Sequence, residues 1–345
     1  LSDLGFESMG DGERYIRGGV VDPMPRKKIN RILFHHHSLH QKTRHENETI
    51  ALDHLDELRD DFALRGRCEM FRVDLKSMAA AHQLHQGTNL RGHLVWAKMP
   101  HFQKLLTIRN VQAPEEDEDI LQFFREHHDP AIFMERHAMR RGEFRKLISP
   151  LVRSGHLVQD YRGGFKAVEP LATSDLWEVK RDYLRDLVKD YPVITLKQVE
   201  RLAGSPFSAE EISDVMREFE EDDTLIKGFL VDDMHDVCWG RHDLLEGSDV
   251  LTKTRDLVIP PSDPLIHYYG SLLRERFGYG SAYLVFHREE PVAAFKANTR
   301  EGVIHITDFV GDSDLEKEAL RVMKEFAWEH DMPLKGKLYE RLRSR

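Results

Sequence analysis

Three segments between residues 119 and 153 carry apolar residues at helical spacing. The first begins at Asp119 and ends at Asp129, because the residue before Pro130 is pushed out of the helical region. A second, short helix is predicted around residues 131–139. The third covers residues 143–153, and its apolar positions form a single stripe: Phe144, Leu147, Ile148, Leu151 and Val152.

A hairpin is predicted directly after these helices. Residues 156–161 and 165–168 have the composition of short strands, and Arg162-Gly163-Gly164 between them is typical of a tight turn. Three helices followed by a hairpin indicate a winged-helix domain, in which the third helix normally enters the major groove of DNA and the hairpin touches the backbone. Winged helices also serve as protein-interaction modules, so this alternative stays open.

The same order of elements is predicted again over residues 177–242. Helices are expected over 176–189 and 195–203, and a third begins at Ser208, which forms a capping box with Glu211. Strands are expected over 225–231 and 237–239. The third helix of this unit is acidic and would repel phosphate, which favours a structural or interdomain role. Its acidic residues are Glu210, Glu211, Asp214, Glu218, Glu220 and Glu221.

From Ile259 onward the pattern changes to strands, followed by one closing helix. We expect strands over 281–287, 292–296 and 303–309, and a helix over 315–329. The fold class predicted is α+β, with tandem winged-helix domains and a C-terminal β-rich partial barrel. The predicted domains are an N-terminal helical or winged-helix-like domain (1–115), a winged helix (116–172), a second winged helix (173–250) and the β-rich domain (251–345).

Composition places the chain among ordinary globular proteins. It has 345 residues, 40% of them hydrophobic and 32% charged. No apolar stretch approaches the roughly 18 residues that a membrane helix needs, and residues 1–15 do not resemble a signal peptide. We therefore expect a cytoplasmic protein without membrane contact. Two isolated cysteines, Cys68 and Cys238, give neither a disulfide framework nor a thiolate zinc site.

The formal net charge of -10 argues against indiscriminate nucleic-acid binding, so any DNA contact must be local. Basic residues do cluster near the N-terminus, at the start of the third predicted helix and at the predicted hairpin turn. Each cluster could also be a solvated face. The candidate DNA contacts in these clusters are Arg26, Lys27, Arg31, Arg140, Arg141, Arg145, Lys146 and Arg162.

Short motifs in several segments resemble those of the AlkZ-type DNA glycosylases and the related C-terminal region of Lhr-type helicases. The sequence at 91–95, Arg-Gly-His-Leu-Val, is similar to the family's Arg-Gly-Thr-Leu-His segment. Residues 263–265 and 276–279 are similar to its Asp-Asn-Leu and Leu-Phe-Gly-Phe stretches. Residues 224–229 together with Cys238-Trp239 are closer to the Lhr-type pattern.

The N-terminal residues 19–23 resemble the family's Leu-Gln-x-Asp-Pro segment, and Arg31, His36 and Arg44 follow in the next predicted helix. In that family a Gln-x-Gln or Gln-x-Asp pair orients the water that attacks the sugar carbon. The resemblance therefore implies a base-removing repair enzyme that needs no cofactor, with Asp22 as its catalytic carboxylate and with Arg31, His36 and Arg44 facing DNA. Val20 stands where the family has glutamine, and valine cannot form a hydrogen bond.

Two other functions remain open because of this departure. The chain could be a non-catalytic DNA-binding or regulatory protein, or an accessory module that acts with a helicase or repair partner. It has no phosphate-binding loop of the P-loop kind, so helicase activity would need another chain. His36 and His40 are spaced for one helix face, but a metal needs further ligands, and we predict no metal site. We expect a monomer.

Overall fold

The computed structural model describes residues 6–8, 15–17, 23–37, 39, 57, 59, 75–172, 175–232, 236–246 and 251–343. Within these ranges the strands form three sheets, each accompanied by helices. The mixed helix-and-sheet class expected from the sequence is therefore confirmed.

The described residues of the N-terminal part form two hairpins and three helices. Its elements are β1 (Phe6–Ser8), β2 (Tyr15–Arg17), α1 (Arg26–His36), α2 (Leu75–His82), β3 (His85–Thr88), β4 (Leu94–Ala97) and α3 (Met99–Arg109). Strands β1 and β2 pair antiparallel, as do β3 and β4. One face of α1 is buried through Ile29, Ile32, Leu33 and Phe34, so this helix is part of the core.

The next segment has the three helices and the hairpin predicted from apolar spacing, and these elements are confirmed. They are α4 (Glu118–Glu126), α5 (Pro130–Arg136), α6 (Arg141–Ser154), β5 (Leu157–Gln159) and β6 (Phe165–Ala167). The carboxylate of Asp129 caps α5 by accepting a hydrogen bond from the amide of Ala131 at 2.7 Å. A core of buried aromatic rings holds the segment together: Phe123, Phe124, Phe133, Phe144 and Phe165.

This hairpin does not stand alone, because β5 also pairs with β3 of the N-terminal part. The contact is at Gln86 and Gln159, and it gives a four-stranded sheet in the order β4-β3-β5-β6. In addition, the amide of Phe165 donates to the carbonyl oxygen of His128 at 2.8 Å, so the chain between α4 and α5 lies beside β6.

The helices and strands predicted for the second run are also confirmed, and the structure adds one strand (Val193–Thr195) and one short helix (His242–Glu246) that the sequence did not predict. Its elements are α7 (Leu176–Val188), β7 (Val193–Thr195), α8 (Leu196–Ala203), α9 (Ala209–Glu221), β8 (Leu225–Gly228), β9 (Cys238–Arg241) and α10 (His242–Glu246). Strand β7 pairs with β9, and β8 pairs with β2, where Ile16 lies opposite Gly228. The strands of this sheet are therefore in the order β1-β2-β8-β9-β7.

Two capping boxes fix the helices of this run. In the predicted one, the amide of Glu211 donates to the Ser208 hydroxyl at 3.1 Å, and the amide of Ser208 donates to the Glu211 carboxylate at 2.8 Å. The second box, which the sequence analysis missed, joins Thr195 and Gln198 in the same way. It explains why β7 passes directly into α8 without a loop.

The C-terminal region is a curled, half-barrel sheet with helices against it. Its elements are β10 (Leu257–Ile259), α11 (Leu265–Tyr268), α12 (Gly270–Phe277), β11 (Tyr283–His287), β12 (Glu290–Arg300), β13 (Val303–Gly311), α13 (Glu316–Glu329), β14 (Leu334–Lys335) and α14 (Lys337–Arg343). The three predicted strands and the helix after them are confirmed. Helices α11 and α12 were not predicted.

Strand β11 separates two hydrophobic cores. Leu284 and Phe286 point into the core shared with α1 and α7, whereas Tyr283 and Val285 point into the core under α13. Because successive side chains of a strand face opposite sides, both faces of this strand are buried and its sequence is a continuous apolar run. Sheet pairings thus join distant parts of the chain, and the domain boundaries proposed from the sequence stay a prediction.

Replacing Gly155 by alanine is expected to destabilise the fold by about 2 kcal/mol or more. Gly155 ends α6 with φ of 90°, and a Cβ there would lie 2.1 Å from Nη1 of Arg109, which itself donates to the Ser154 carbonyl oxygen. The measurement is urea unfolding. Gly142 of α6 is the matched control, because a Cβ there meets no atom within 4 Å; its alanine variant should be neutral or slightly more stable. Equal effects of the two substitutions would contradict the prediction.

Candidate functional site

The cations predicted at the third helix lie on the first two turns of α6 and are exposed. They are Arg140, Arg141, Arg145 and Lys146. For Arg141, Arg145 and Lys146 the structure records no ion pair with any residue of the described ranges. An exposed cation without a carboxylate partner can bind a phosphate group without first breaking an ion pair. This surface can therefore attract an anionic polymer despite the acidic net charge.

Arg162 lies at the tip of the β5–β6 hairpin and is also exposed. Its Nε donates to the hydroxyl of Tyr161 at 2.8 Å, and its guanidinium lies 5.2 Å from the centre of that ring. The turn is shaped by Asp160, whose carboxylate accepts hydrogen bonds from the amides of Arg162 and Gly164, both at 2.8 Å. The hairpin therefore presents one cation from a defined turn.

The predicted site residues of the N-terminal part differ in exposure and in their contacts. Arg26 and Lys27 lie in the first turn of α1, where Lys27 is exposed. The guanidinium of Arg31 is bound in a bidentate ion pair with Glu289, at 2.7 Å for each bond. His36 is partly buried, with Nε2 4.0 Å from the Asp190 carboxylate. Asp22 and Arg44 lie outside the described residues.

A cleft of about 330 Å³ borders the first turn of α1. Arg26 and Asn30 lie on one wall, and the capped N-terminus of α8 and the start of α12 form the others. The backbone of Met24, just before α1, is held by two hydrogen bonds: its amide donates to the Leu230 carbonyl oxygen at 3.0 Å, and its carbonyl oxygen accepts from the amide of Asp232 at 3.1 Å. The backbone just before α1 is thereby fixed beside this cleft.

Hydrogen bonds between buried polar groups hold the walls of the cleft in place. The hydroxyl of Tyr269 donates to Oδ1 of Asn30 at 2.9 Å, and Nε2 of Gln198 donates to the carbonyl oxygen of Tyr268 at 2.9 Å. Burial raises the pKa of both tyrosines, so their hydroxyls stay protonated. A cleft lined by satisfied polar groups is preorganised, as a ligand site requires.

A second polar site surrounds the turn between β3 and β4. The carboxamide oxygen of Asn89 accepts from the amides of Arg91 and His93, at 3.1 and 2.9 Å, and Gly92 between them has φ of 79°. Arg109 donates to the carbonyl oxygens of Thr88 and Asn89. The turn is therefore held from both sides, so that Arg91 and His93 have fixed positions.

The carboxylate of Glu57 lies at the centre of this site. It accepts hydrogen bonds from Nδ2 of Asn89 at 2.6 Å, from Nε2 of His101 at 3.0 Å and from Nη2 of Arg91 at 3.4 Å. Burial alone would raise the pKa of Glu57, but these hydrogen bonds and the charges of His101 and Arg91 outweigh it and lower the pKa to about 2. Glu57 is thus a fixed negative charge that positions its donors.

Two imidazole rings lie next to this cluster, where the motifs of residues 91–95 and 263–265 meet. The rings of His93 and His267 are stacked, with their centres 6.3 Å apart. Arg91 and Pro264, one from each motif, both line one cleft. Burial, then the charges of Arg91, His93 and Arg59, lowers the pKa of His267 to about 3, and burial and the same arginines lower that of His93. Both rings are neutral near pH 7.

The motifs at 91–95 and 263–265 were both recognised in the sequence, but their meeting in one site was not predicted. Asn89 carried a local signal, since an asparagine three residues before Gly92 favours a turn. Glu57 and His101 carried none, because their contacts join positions 32 to 44 residues apart.

Two further findings concern ions and membranes. Across the described ranges, no group of three histidine, cysteine, aspartate or glutamate side chains is arranged to hold a metal ion. No helix in the part of the chain that the structure describes has the length and apolar composition needed to cross a bilayer.

Comparison with known proteins gives one informative likeness. No family model matches the chain, and no curated protein sequence matches it. Among solved structures, the chain is similar to the DNA glycosylase AlkZ of Streptomyces sahachiroi, with a TM-score of 0.65 and 11% sequence identity over 91% of this chain and 100% of that chain. The AlkZ-like fold implied by the sequence motifs is therefore confirmed.

Replacing Glu57 by glutamine is expected to lower the free energy of unfolding by about 3 kcal/mol at pH 7. The folded pKa lies below the ordinary value of 4.5, so the stabilising contribution is fully present above pH 4.5 and is lost as the pH falls towards 2. Urea unfolding of both proteins between pH 3.5 and 7 measures the difference, which should shrink with acid. Glu340→Gln, on the exposed face of α14, is the control and should change little. A difference that is constant with pH would argue against an ionised Glu57.

Proposed function

We propose that the chain is a DNA-repair protein that binds duplex DNA and removes damaged bases as a DNA glycosylase. The observation that carries the proposal is the likeness in fold to a DNA glycosylase over 91% of the chain. The meeting of residues 91–95 and 263–265 at one site supports it independently, because both segments carry the sequence resemblance.

We also propose that the two runs of helices and strands are winged-helix domains. The order of three helices and a hairpin supports this, and so does the exposure of cations on the third helix of the first run. In the proposal, Arg140, Arg141, Arg145, Lys146 and Arg162 contact backbone phosphates. Helix α9 of the second run is acidic and faces away from the DNA.

Asp22 is the proposed catalytic carboxylate. A glycosylase extrudes the damaged nucleotide, and a water attacks the sugar carbon while the bond to the base breaks. Asp22 would accept the proton of that water and stabilise the positive charge that develops on the sugar. Two residues later along the chain, the backbone of Met24 is fixed by two hydrogen bonds, and Arg26 and Lys27 follow in the first turn of α1. Contacts from His36, Arg31 and Arg44 to DNA stay predictions.

The second candidate is a DNA-binding protein of the same fold without catalysis. Val20 favours it, since valine occupies the family's glutamine position and cannot orient a water. A helicase or repair partner is a further expectation of the same resemblance, and a monomeric state stays a separate prediction.

The test is a single-turnover assay on duplexes that carry alkylated or deaminated bases, with abasic sites detected by alkaline cleavage. We expect base release by the unchanged protein and a loss of roughly 100-fold or more for Asp22→Asn, because a general base commonly contributes that much. Asp331→Asn, in an exposed loop after α13, is the matched control and should keep full activity. Duplex binding without release from any substrate would refute the glycosylase and favour the second candidate.

A further inference from the structure

A cavity beside the turn between β3 and β4 has features that neither the fold likeness nor the proposed catalysis explains. It has a volume of about 510 Å³ and is lined by residues from three distant parts of the chain, including Arg59, His93, Leu94, Ser262 and Tyr283. It therefore joins the N-terminal part, the four-stranded sheet and the C-terminal sheet.

The cation of this cavity is Arg59. Its Nη1 donates to the carbonyl oxygen of Pro261 at 3.3 Å, and no carboxylate of the described ranges lies within ion-pair distance of it. The nearby carboxylate of Glu57 is already bound to Asn89, Arg91 and His101. Most of the donors of the Arg59 guanidinium are thus available to a ligand that carries negative charge.

Ser262 provides the second, independent observation. Its side chain lines the cavity and is only 8% exposed, yet its hydroxyl has no hydrogen-bond partner among the described residues. A buried hydroxyl without a partner destabilises a protein. Arg59 is bound to the carbonyl group of the preceding residue, Pro261, and both Arg59 and Ser262 line this cavity.

The remaining walls favour a phosphate diester over a small free anion. Leu94, which is 53% exposed, and Tyr283 both line the cavity. A sugar beside the phosphate would cover this apolar surface, whereas inorganic phosphate would leave it in water. The neutral ring of His93, which also lines the cavity, adds hydrogen-bonding capacity without a second charge.

We propose that this cavity binds one backbone phosphodiester of the DNA strand, through Arg59 and Ser262. The proposal rests on the proposed function, since it assigns a subsite for the same substrate. It places a phosphate contact outside the cations of α6 and the β5–β6 hairpin, at the junction of the N-terminal part with the C-terminal sheet.

The test is fluorescence anisotropy of a labelled duplex over a series of salt concentrations. Arg59→Gln should weaken binding roughly tenfold for any sequence and reduce the slope of log affinity against log salt by about one. Arg343→Gln, at an exposed arginine of α14, is the matched control and should bind like the unchanged protein. Unaltered affinity and slope for Arg59→Gln would overturn the proposal, while duplex binding by the unchanged protein would leave the proposed function intact.

Ser262→Ala separates a ligand-binding role from a structural one. If the hydroxyl serves the phosphate, this variant should bind the duplex several-fold more weakly and yet melt at the same or a higher temperature, because an unpartnered buried hydroxyl is removed. A lower melting temperature with unchanged affinity would show a structural hydroxyl and overturn its assignment.

A final arm uses inorganic phosphate, followed by the NMR resonances of the His93 and His267 rings. Millimolar phosphate should shift these resonances in the unchanged protein and not in Arg59→Gln. If phosphate shifts them but no duplex binds, the proposed function fails and the cavity takes a free anion, which overturns the diester assignment. If neither ligand has an effect, both proposals fail.

Discussion

The position of α1, and with it one wall of the cleft at its first turn, depends on one buried carboxylate. Glu289 is 4% exposed and accepts two hydrogen bonds from Arg31 and one from the amide of Thr254, while its own carbonyl oxygen accepts from Asn30. A buried carboxylate without partners would be strongly unfavourable, so these contacts must form together. They lock α1 to the turn between β11 and β12, where Arg288 and Glu289 have φ of 50° and 69°. Such left-handed residues cost about 1 kcal/mol each, so this turn is strained as well as bonded.

A second constraint concerns charge. The chain carries a formal charge of -10, yet the described structure concentrates unpaired cations on α6 and beside the turn at 91–93. The acidic residues of α9 lie on another helix, and several are bound to lysine or arginine, as Glu211 is to Lys180. An acidic protein can thus present local positive surfaces, and the net charge says little about a specific DNA contact.

The sequence predicted best those elements that depend on local patterns. Helices α4 to α6 and α13 follow apolar spacing, and the cap at Ser208 follows from two residues three positions apart. Strands β3, β4 and β7 were missed because each has four residues or fewer and is stabilised by pairing with distant strands. Helices α11 and α12 were missed because their apolar residues continue the buried pattern of the strands around them.

The chemistry of the site was less predictable than the fold. The ion pair of Arg31 could not be predicted, because its partner Glu289 lies 258 positions away, beyond any local pattern. The low pKa of Glu57 likewise could not be predicted from the neighbouring sequence, because it results from contacts with Asn89, Arg91 and His101. The motif at 91–95 was informative only through its resemblance to a family. The structure explains the shape of this turn, because the carboxamide oxygen of Asn89 accepts hydrogen bonds from the amides of Arg91 and His93.

Hydrogen–deuterium exchange with and without a duplex that contains an abasic-site analogue would locate the DNA on the chain. We expect slower exchange in the first turns of α6, in the turn at 160–164, and at residues 91–94 and 261–262. Slower exchange confined to α13 and α14, or none at saturating duplex, would contradict it.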